Sequence, residues 1–293
     1  MDIKISIVIT ARNYSQNLLK TIRSINNQNF KPKEIIIVSN NYILQDLNFD
    51  NKIKIKKFTS KIKNQVFQRN IAINNLSKDT NIILQIDDRI ILRAKCLHEL
   101  NKFWKKTDKS VIGVGLNQVN RLKDTSFLTH LIRDSKLKGM VLANGMNIDY
   151  FNAKKDFEVM WLKGGLSSWK VDKNTKIKNR QYPFWSWSVF EDVDFSLDKK
   201  KNTKLFVAHK AKIDILKKKI KNINFKELLY KGSLFTYAQK LIVKKYFKTT
   251  IFFYLTMPFL IFLNLIFSIL TYNRTSFFYN LGRIKGFFII NFN

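Results

Sequence analysis

The sequence is short of cysteine, histidine, proline and glycine. One cysteine, Cys96, in 293 residues excludes an internal disulfide and any multi-cysteine zinc or iron–sulfur centre. Three histidines are too few for a His-rich metal centre. Nine glycines and three prolines exclude collagen-like and Pro-rich sequence. Acids are scarce as well: 21 Asp and Glu stand against 53 Lys and Arg, a formal net charge of +32. With 45% hydrophobic and 25% charged residues, global disorder is excluded, and the length suits one or two domains. The excess charge has three candidate explanations: nucleic acid, an anionic membrane, or the coding bias that Lys, Asn and Ile together suggest.

Position decides among these. Lys199 to Lys248 holds sixteen Lys and no Arg, with only Asp214 and Glu227 as acids. A nucleic-acid interface favours Arg for its bidentate contacts and interleaves aromatic stacking platforms, so no nucleic-acid partner is expected. The 25 residues from Thr249 to Asn273 then carry no charge. Their core, Ile251 to Tyr272, is 22 residues long, and a membrane-spanning helix needs ~20. A transmembrane or membrane-embedded helix is expected over 249–273, with anionic membrane lipids as partners of the Lys-rich collar. Pro258 and Asn264 leave both a kinked span and a re-entrant helix open. The positive-inside rule places the large N-terminal part in the cytoplasm. The start, MDIKISIVIT, carries an acid at position 2 and enters a strand pattern at once, so no signal peptide is expected.

Continuous apolar runs in the N-terminal part read as buried parallel strands: Ile5–Thr10, Glu34–Val38, Asn81–Ile86 and Val111–Leu116, with Lys52–Phe58 as a further alternating strand. Helical spacing lies between them, over Leu18–Ile25, Val66–Leu76 and Leu97–Trp104. This alternation predicts an α/β fold with a mostly parallel sheet flanked by helices. Ligands in such folds sit beyond the carboxyl ends of the strands. The polar ends Thr10-Ala11-Arg12-Asn13, Ser39-Asn40-Asn41 and Asp87-Asp88-Arg89 are therefore expected to line one crevice. Neither GxGxxG nor GxxxxGK[ST] occurs, which leaves a dinucleotide fold and a P-loop unsupported. Further on, Met160–Gly165 reads as a strand end running into a Gly pair, Glu191 to Lys200 as a helix, Leu205–Val207 as a short strand, and Phe225–Lys248 as a basic helix or helix pair. The expected organisation is a domain over 1–220, a basic juxtamembrane segment over 221–248, the apolar helix, and a short basic-aromatic tail over 274–293.

The blocks SIVITARN, EIIIVSNN, QRNIAINN, IILQIDDRIIL, WLKGGLSSW and FEDVDFSL follow one another in this order. Together they resemble the family-2 inverting glycosyltransferases of GT-A fold, over roughly residues 3–215. The resemblance implies transfer of a sugar from a nucleotide-sugar donor to a saccharide or polyprenyl-linked acceptor, in bacterial cell-surface polysaccharide assembly at the inner (cytoplasmic) membrane. It implies a divalent cation, Mg²⁺ or Mn²⁺, to neutralise the leaving diphosphate, held by Asp88 with Asp87. Asp192 would be the base for the acceptor hydroxyl, preceded by Glu191. Thr10, Arg12, Asn13, Asn40, Arg69, Asn70, Asp87, Arg89, Gly164 and Gly165 would meet the donor. Trp161 and Trp169 either stack on the acceptor sugar or belong to the core. Cys96 has no His or acid partner in its pattern and is expected to be inert, and His98 and His130 read as structural or solvated.

Three departures stand out. Arg89 occupies the place where the family usually has a third acid. Ser39-Asn40-Asn41 replaces acids often found after the second strand; an Asn amide can still read a base because it both donates and accepts. The family's His after the second-half strand would fall near Asp214-Ile215, and His209, six residues before Ile215, does not take its place. These departures support an alternative, a catalytically weakened scaffold in a polysaccharide-assembly complex; a basic nucleic-acid-binding protein, through the Lys-rich segment, is the lesser alternative.

Overall fold

The computed structural model describes residues 3–13, 15–40, 53–120, 136–171, 189–216 and 224–289. Asn41 and His130 lie outside them. The chain forms two compact units: Met1–Arg121 with Tyr150–Lys217, and Leu122–Asp149 with Lys218–Asn293.

The first unit is built on a nine-stranded sheet. Its strands are β1 (Ile5–Ala11), β2 (Glu34–Ser39), β3 (Lys54–Thr59), β4 (Ile82–Asp87), β5 (Ile90–Leu92), β6 (Val111–Gln118), β7 (Phe157–Val159), β8 (Leu166–Lys170) and β9 (Lys204–Ile215). Their order is β3-β2-β1-β4-β8-β6-β9-β5, with β7 beside β9. β1 to β4 run parallel, while β8 enters antiparallel between β4 and β6. β1 and β2 are buried along their whole length, as continuous apolar runs covered on both faces must be. Among the described residues four α-helices belong to this unit: α1 (Gln16–Asn26), α2 (Gln65–Asn74), α3 (Cys96–Lys106) and α4 (Glu191–Lys199). Leu18, Ile22 and Ile25 of α1 and Leu97, Leu100 and Trp104 of α3 share one core with Ile5, Ile7 and Ile9. α2 packs on β1 and β2 from the other face.

The caps follow from sequence. Ser15 accepts from Leu18 N at 3.2 Å and Asn64 from Val66 N at 2.8 Å, so each helix start has a side-chain acceptor for its orphan donors. Register sets the crevice. Thr10 lies level with Asp87 and Ala11 with Ser39, which brings the carboxyl ends of β1, β2 and β4 to one edge.

Three elements differ from expectation. β9 runs for twelve residues, not three, because its buried positions alternate with outward lysines at Lys204, Lys210 and Lys212. Met160–Gly165 is an irregular link between β7 and β8. Its backbone donors go to side chains: Leu162 N to Ser196 Oγ at 3.0 Å and Lys163 N to the Tyr150 hydroxyl at 2.9 Å. Residues 274–288 form a helix, not a tail.

Among the described residues the second unit carries three helices: α5 (Phe225–Tyr246), α6 (Ile251–Leu270) and α7 (Arg274–Phe288). Asn224 and Asn273 cap α5 and α7. α5 and α7 approach at backbone distance; a Cβ on Gly232 would stand 2.0 Å from Tyr279 O, and one on Gly282 2.1 Å from Leu229 O. Residues 136–149, expected in the first domain, cluster here. Asn144 explains this, since it donates to Thr256 Oγ1 at 2.9 Å and its carbonyl accepts from Gln239 at 3.2 Å.

Candidate active site

The turn after β4 places Asp87 at the strand end and Asp88 and Arg89 just beyond it. Thr21 Oγ1 donates to the Asp88 carbonyl at 3.1 Å and fixes this turn. Asp87 is engaged from the first turn of α2, where Gln65 Nε2 donates to its Oδ1 at 2.7 Å. The same amide reaches Thr10 Oγ1 at 3.4 Å. One turn later, Gln68 donates to Ala11 O at 2.9 Å and to Asn40 Oδ1 at 3.0 Å. α2 thus ties the ends of β1, β2 and β4 together with one polar face.

Arg69, on that face, is the hub. Only 3% exposed, it donates through Nη1 to Glu191 Oε1 at 2.7 Å, and its Nη2 lies 3.7 Å from Asp87 Oδ1. Burial opposes its charge, but Glu191, Asp87 and Asp192 hold the guanidinium above its usual range. Arg69 is turned to the protein's own carboxylates. Asn70 follows it, half-buried.

The second carboxylate pair opens α4. Its N-cap, Phe190, sits in the left-handed region at φ 62° and offers no side-chain cap. Asp192 Oδ1 accepts from Val193 N at 2.9 Å, and Oδ2 accepts from Gly164 N at 3.2 Å. Burial, then the neighbouring Glu191 charge, raise the Asp192 carboxyl to about 7, the range of a general base at neutral pH. Glu191 is buried and paired with Arg69.

Gly164 and Gly165 close the cluster by leaving room for it. A Cβ on Gly165 would stand 2.5 Å from Asp87 Cγ, and one on Gly164 2.7 Å from Arg69 Nη1 and 3.0 Å from Glu191 Oε1. The small residues therefore make space for the protein's own charged groups.

Asp88 lies half-buried beside Asp87. Burial and the Asp87 charge raise its carboxyl to about 6, against the pull of Arg89 and Arg12. Among the described residues no three His, Cys, Asp or Glu side chains gather as a metal cage. Two adjacent carboxylates still fit a hard divalent cation, which is commonly bound by one or two carboxylates together with substrate phosphate oxygens. The charge strain on Asp88 is what such a cation would relieve.

Other expected residues are placed differently. Arg12 and Asn13 are exposed after β1. Asn40 spends both amide protons on Ser60 O at 2.9 Å and Ile62 O at 2.8 Å, and its oxygen accepts from Gln68; it locks the loop instead of reading a base. Trp161 and Trp169 are 5% and 3% exposed and belong to the core. Trp169 stands edge-on to Phe195 at 4.7 Å, and Trp161 packs on Tyr150 at 5.6 Å. Neither can stack on a sugar. Cys96 is fully buried, and burial pushes its thiol well above the usual range, as its expected inertness requires. His209 Nδ1 meets Asp156 at 2.6 Å and lines a separate groove of about 420 Å³ between α3 and β9 that shares none of the residues above. Gln65 and Gln68 were not legible as site residues. Their signal is that Gln68 and Arg69 follow Gln65 by three and four residues, directly after the Asn64 cap.

Residues 6–160 match the family described as Glycosyl transferase family 2. The fold is similar to that of S. aureus TarS residues 1–349 in complex with UDP-GlcNAc, at 15% identity over 97% of this chain and 90% of that one, with a TM-score of 0.54. It is also similar to GalNAc-T7 with UDP, GalNAc and Mn²⁺, at 12% identity over 74% of this chain, with a TM-score of 0.54. This chain spans 43% of the length of that one. At these identities the likeness is one of fold, of GT-A type. No curated protein matches the sequence. The family match covers more than half of the chain, and the protein belongs to glycosyl transferase family 2.

Proposed function

We propose that this protein is an inverting glycosyltransferase. It moves a sugar from a nucleotide-sugar donor to a hydroxyl of a saccharide acceptor, lipid-linked, at the cytoplasmic face of an anionic membrane. One observation carries the reading: Arg69 joins Asp87, beside Asp88, to Glu191, beside Asp192, at the carboxyl ends of the parallel strands.

Asp192 is the base. Its carboxylate takes the proton of the acceptor hydroxyl as that oxygen attacks the anomeric carbon. The bond to the donor diphosphate breaks on the opposite side, so configuration inverts. Val193 N and Gly164 N each occupy one Asp192 oxygen and fix its orientation. Glu191 and Arg69 hold this geometry from behind. Arg12 and Arg89 supply positive potential near Asp88 for the diphosphate. Asp88 with Asp87 would hold Mg²⁺ or Mn²⁺, which when bound adds charge against the leaving group.

The test uses washed membranes, Mn²⁺ and a panel of nucleotide sugars that begins with UDP-GlcNAc and UDP-GalNAc. Transfer should occur with at least one donor and fall by ~10²–10⁴-fold in Asp192→Asn, the range for a lost general base. Full activity in that variant overturns the assignment. The commitment of Asn40 to Ser60 and Ile62, together with Arg89 in place of an acid, favours the scaffold as a second reading. Metal-dependent binding of any nucleotide sugar by calorimetry removes it.

A further inference from the structure

α6 was expected to be a transmembrane or membrane-embedded helix, and its length and a mean hydropathy of 2.1 permit a span. Its packing argues for another placement. Phe252, Leu255, Phe259, Phe262, Ile266 and Ile269 recur at intervals of three and four residues, and each is 39–67% exposed. They form one apolar stripe along a single face. The opposite face, which carries Phe253, Met257, Ile261, Asn264 and Ser268, is buried.

That buried face is held along its whole length by α7, which runs antiparallel to it. Phe253 near the start of α6 stacks on Phe287 near the end of α7, with ring centroids 5.7 Å apart. Ser268 near the end of α6 bonds Ser276 near the start of α7 at 2.7 Å. α7 is in turn locked to α5, where Ser233 Oγ donates to Gly282 O at 2.9 Å. The three helices are one packed unit. If α6 spanned a bilayer, it would draw the Arg283 and Lys285 of α7 and the lysines of α5 into hydrocarbon, where charge is costly.

Charge identifies the partner. Residues 228–293 contain eight Lys and Arg and no acid. Lys240 Nζ lies 5.7 Å from the ring of Tyr254, which places positive charge beside the start of the apolar stripe. A second copy of the chain would bring two such uncompensated segments together. An anionic bilayer answers both the stripe and the charge.

We infer that α6 lies in the plane of the membrane, with its stripe in the headgroup–acyl boundary of an anionic leaflet and the α5–α7 layer above it. The protein is then anchored from one side. This deepens the membrane attachment proposed above and is independent of the sugar chemistry.

The test uses the full chain with Phe252→Cys, Phe259→Cys or Ile269→Cys, each labelled with an environment-sensitive fluorophore. Cys96 is fully buried and leaves the introduced thiol as the reactive one. Vesicles contain phosphatidylglycerol and phosphatidylcholine, with nitroxides at a shallow or a deep acyl position. All three labels should report the same shallow depth. A profile in which residue 259 lies deepest means a span and overturns the in-plane placement alone. No quenching at any position overturns the membrane reading with it. As a second measurement, Phe259→Glu with Phe262→Glu should weaken vesicle binding by about tenfold or more without shifting the melting temperature; unchanged binding would also overturn the placement.

Discussion

Asp192, the proposed base, is placed at a cost in stability. Burial and Glu191 raise its carboxyl from 3.8 to about 7, so the native state keeps a proton that the unfolded state has lost over this range. Stability therefore falls as pH rises from about 4 through about 7, because the unfolded chain binds fewer protons there. Activity runs the other way, since the base works only when ionised, and the rate should climb through the same window. Asp192→Asn should melt roughly 2–6 °C higher than the parent at pH 8, with ~2–4 °C expected per kcal/mol in a domain of this size. The gap should narrow at pH 5 and close only towards pH 4, and scanning calorimetry at pH 8 and pH 5 checks the narrowing. Gly165 makes the opposite case. A Cβ there would meet Asp87 Cγ at 2.5 Å, so Gly165→Ala should destabilise by ~1–3 kcal/mol through overpacking. It should also raise KM for the donor, because Asp87 must move; an unchanged KM would show that Asp87 does not contribute to donor binding.

Helix α2 shows how one element assembles the site. Gln65, Gln68 and Arg69 face the ends of β1, β2 and β4, and Arg69 alone reaches across to α4. Arg69→Met leaves Glu191 buried without its partner and should cost ~3–5 kcal/mol. The double variant Arg69→Met, Glu191→Leu removes both charges and should recover most of that loss; chemical denaturation of the four cycle members measures the coupling. No recovery would mean that Arg69 packs rather than pairs. The same helix marks the limit of what the sequence shows. The strands Ile5–Ala11, Glu34–Ser39 and Ile82–Asp87 were legible because burial on both faces demands unbroken apolar runs, and their polar ends then marked the crevice. The glutamines of α2 were not, because a Gln on an amphipathic helix is written the same way whether it meets solvent or a carboxylate. Arg69 was legible as a site residue but not in its task, since a buried ion pair 122 residues apart leaves no local pattern. The tryptophans had two readings, and the pleat of β8, which turns Trp169 inward against Phe195, decided one of them. Helix α7 was missed because its buried positions are Asn280, Gly282 and Gly286, which make no apolar stripe.

Across the whole molecule, charge and apolar surface are sorted by position, and this sets how the protein should answer to salt. The +32 as a bulk figure suits any polyanion. Its uncompensated part, eight bases and no acid over residues 228–293, sits in the unit that also exposes the α6 stripe. The two contributions to the proposed membrane binding should respond differently. Attraction of Lys and Arg to anionic lipid is worth ~1 kcal/mol each near the surface and is screened as the Debye length shrinks from ~10 Å at 0.1 M salt towards ~3 Å at 1 M. Burial of Phe259, Phe262 and their neighbours is not screened and is slightly favoured by salts excluded from apolar surface. Co-sedimentation with phosphatidylglycerol vesicles should therefore weaken by about tenfold or more between 0.05 M and 0.5 M NaCl and then level off, with the residual binding abolished by mild detergent. With phosphatidylcholine alone, binding should sit at that residual level and ignore salt. Complete release at 0.5 M NaCl would mean that the basic collar acts without the stripe, and binding indifferent to salt on both lipids would mean that the lysines stand away from the bilayer.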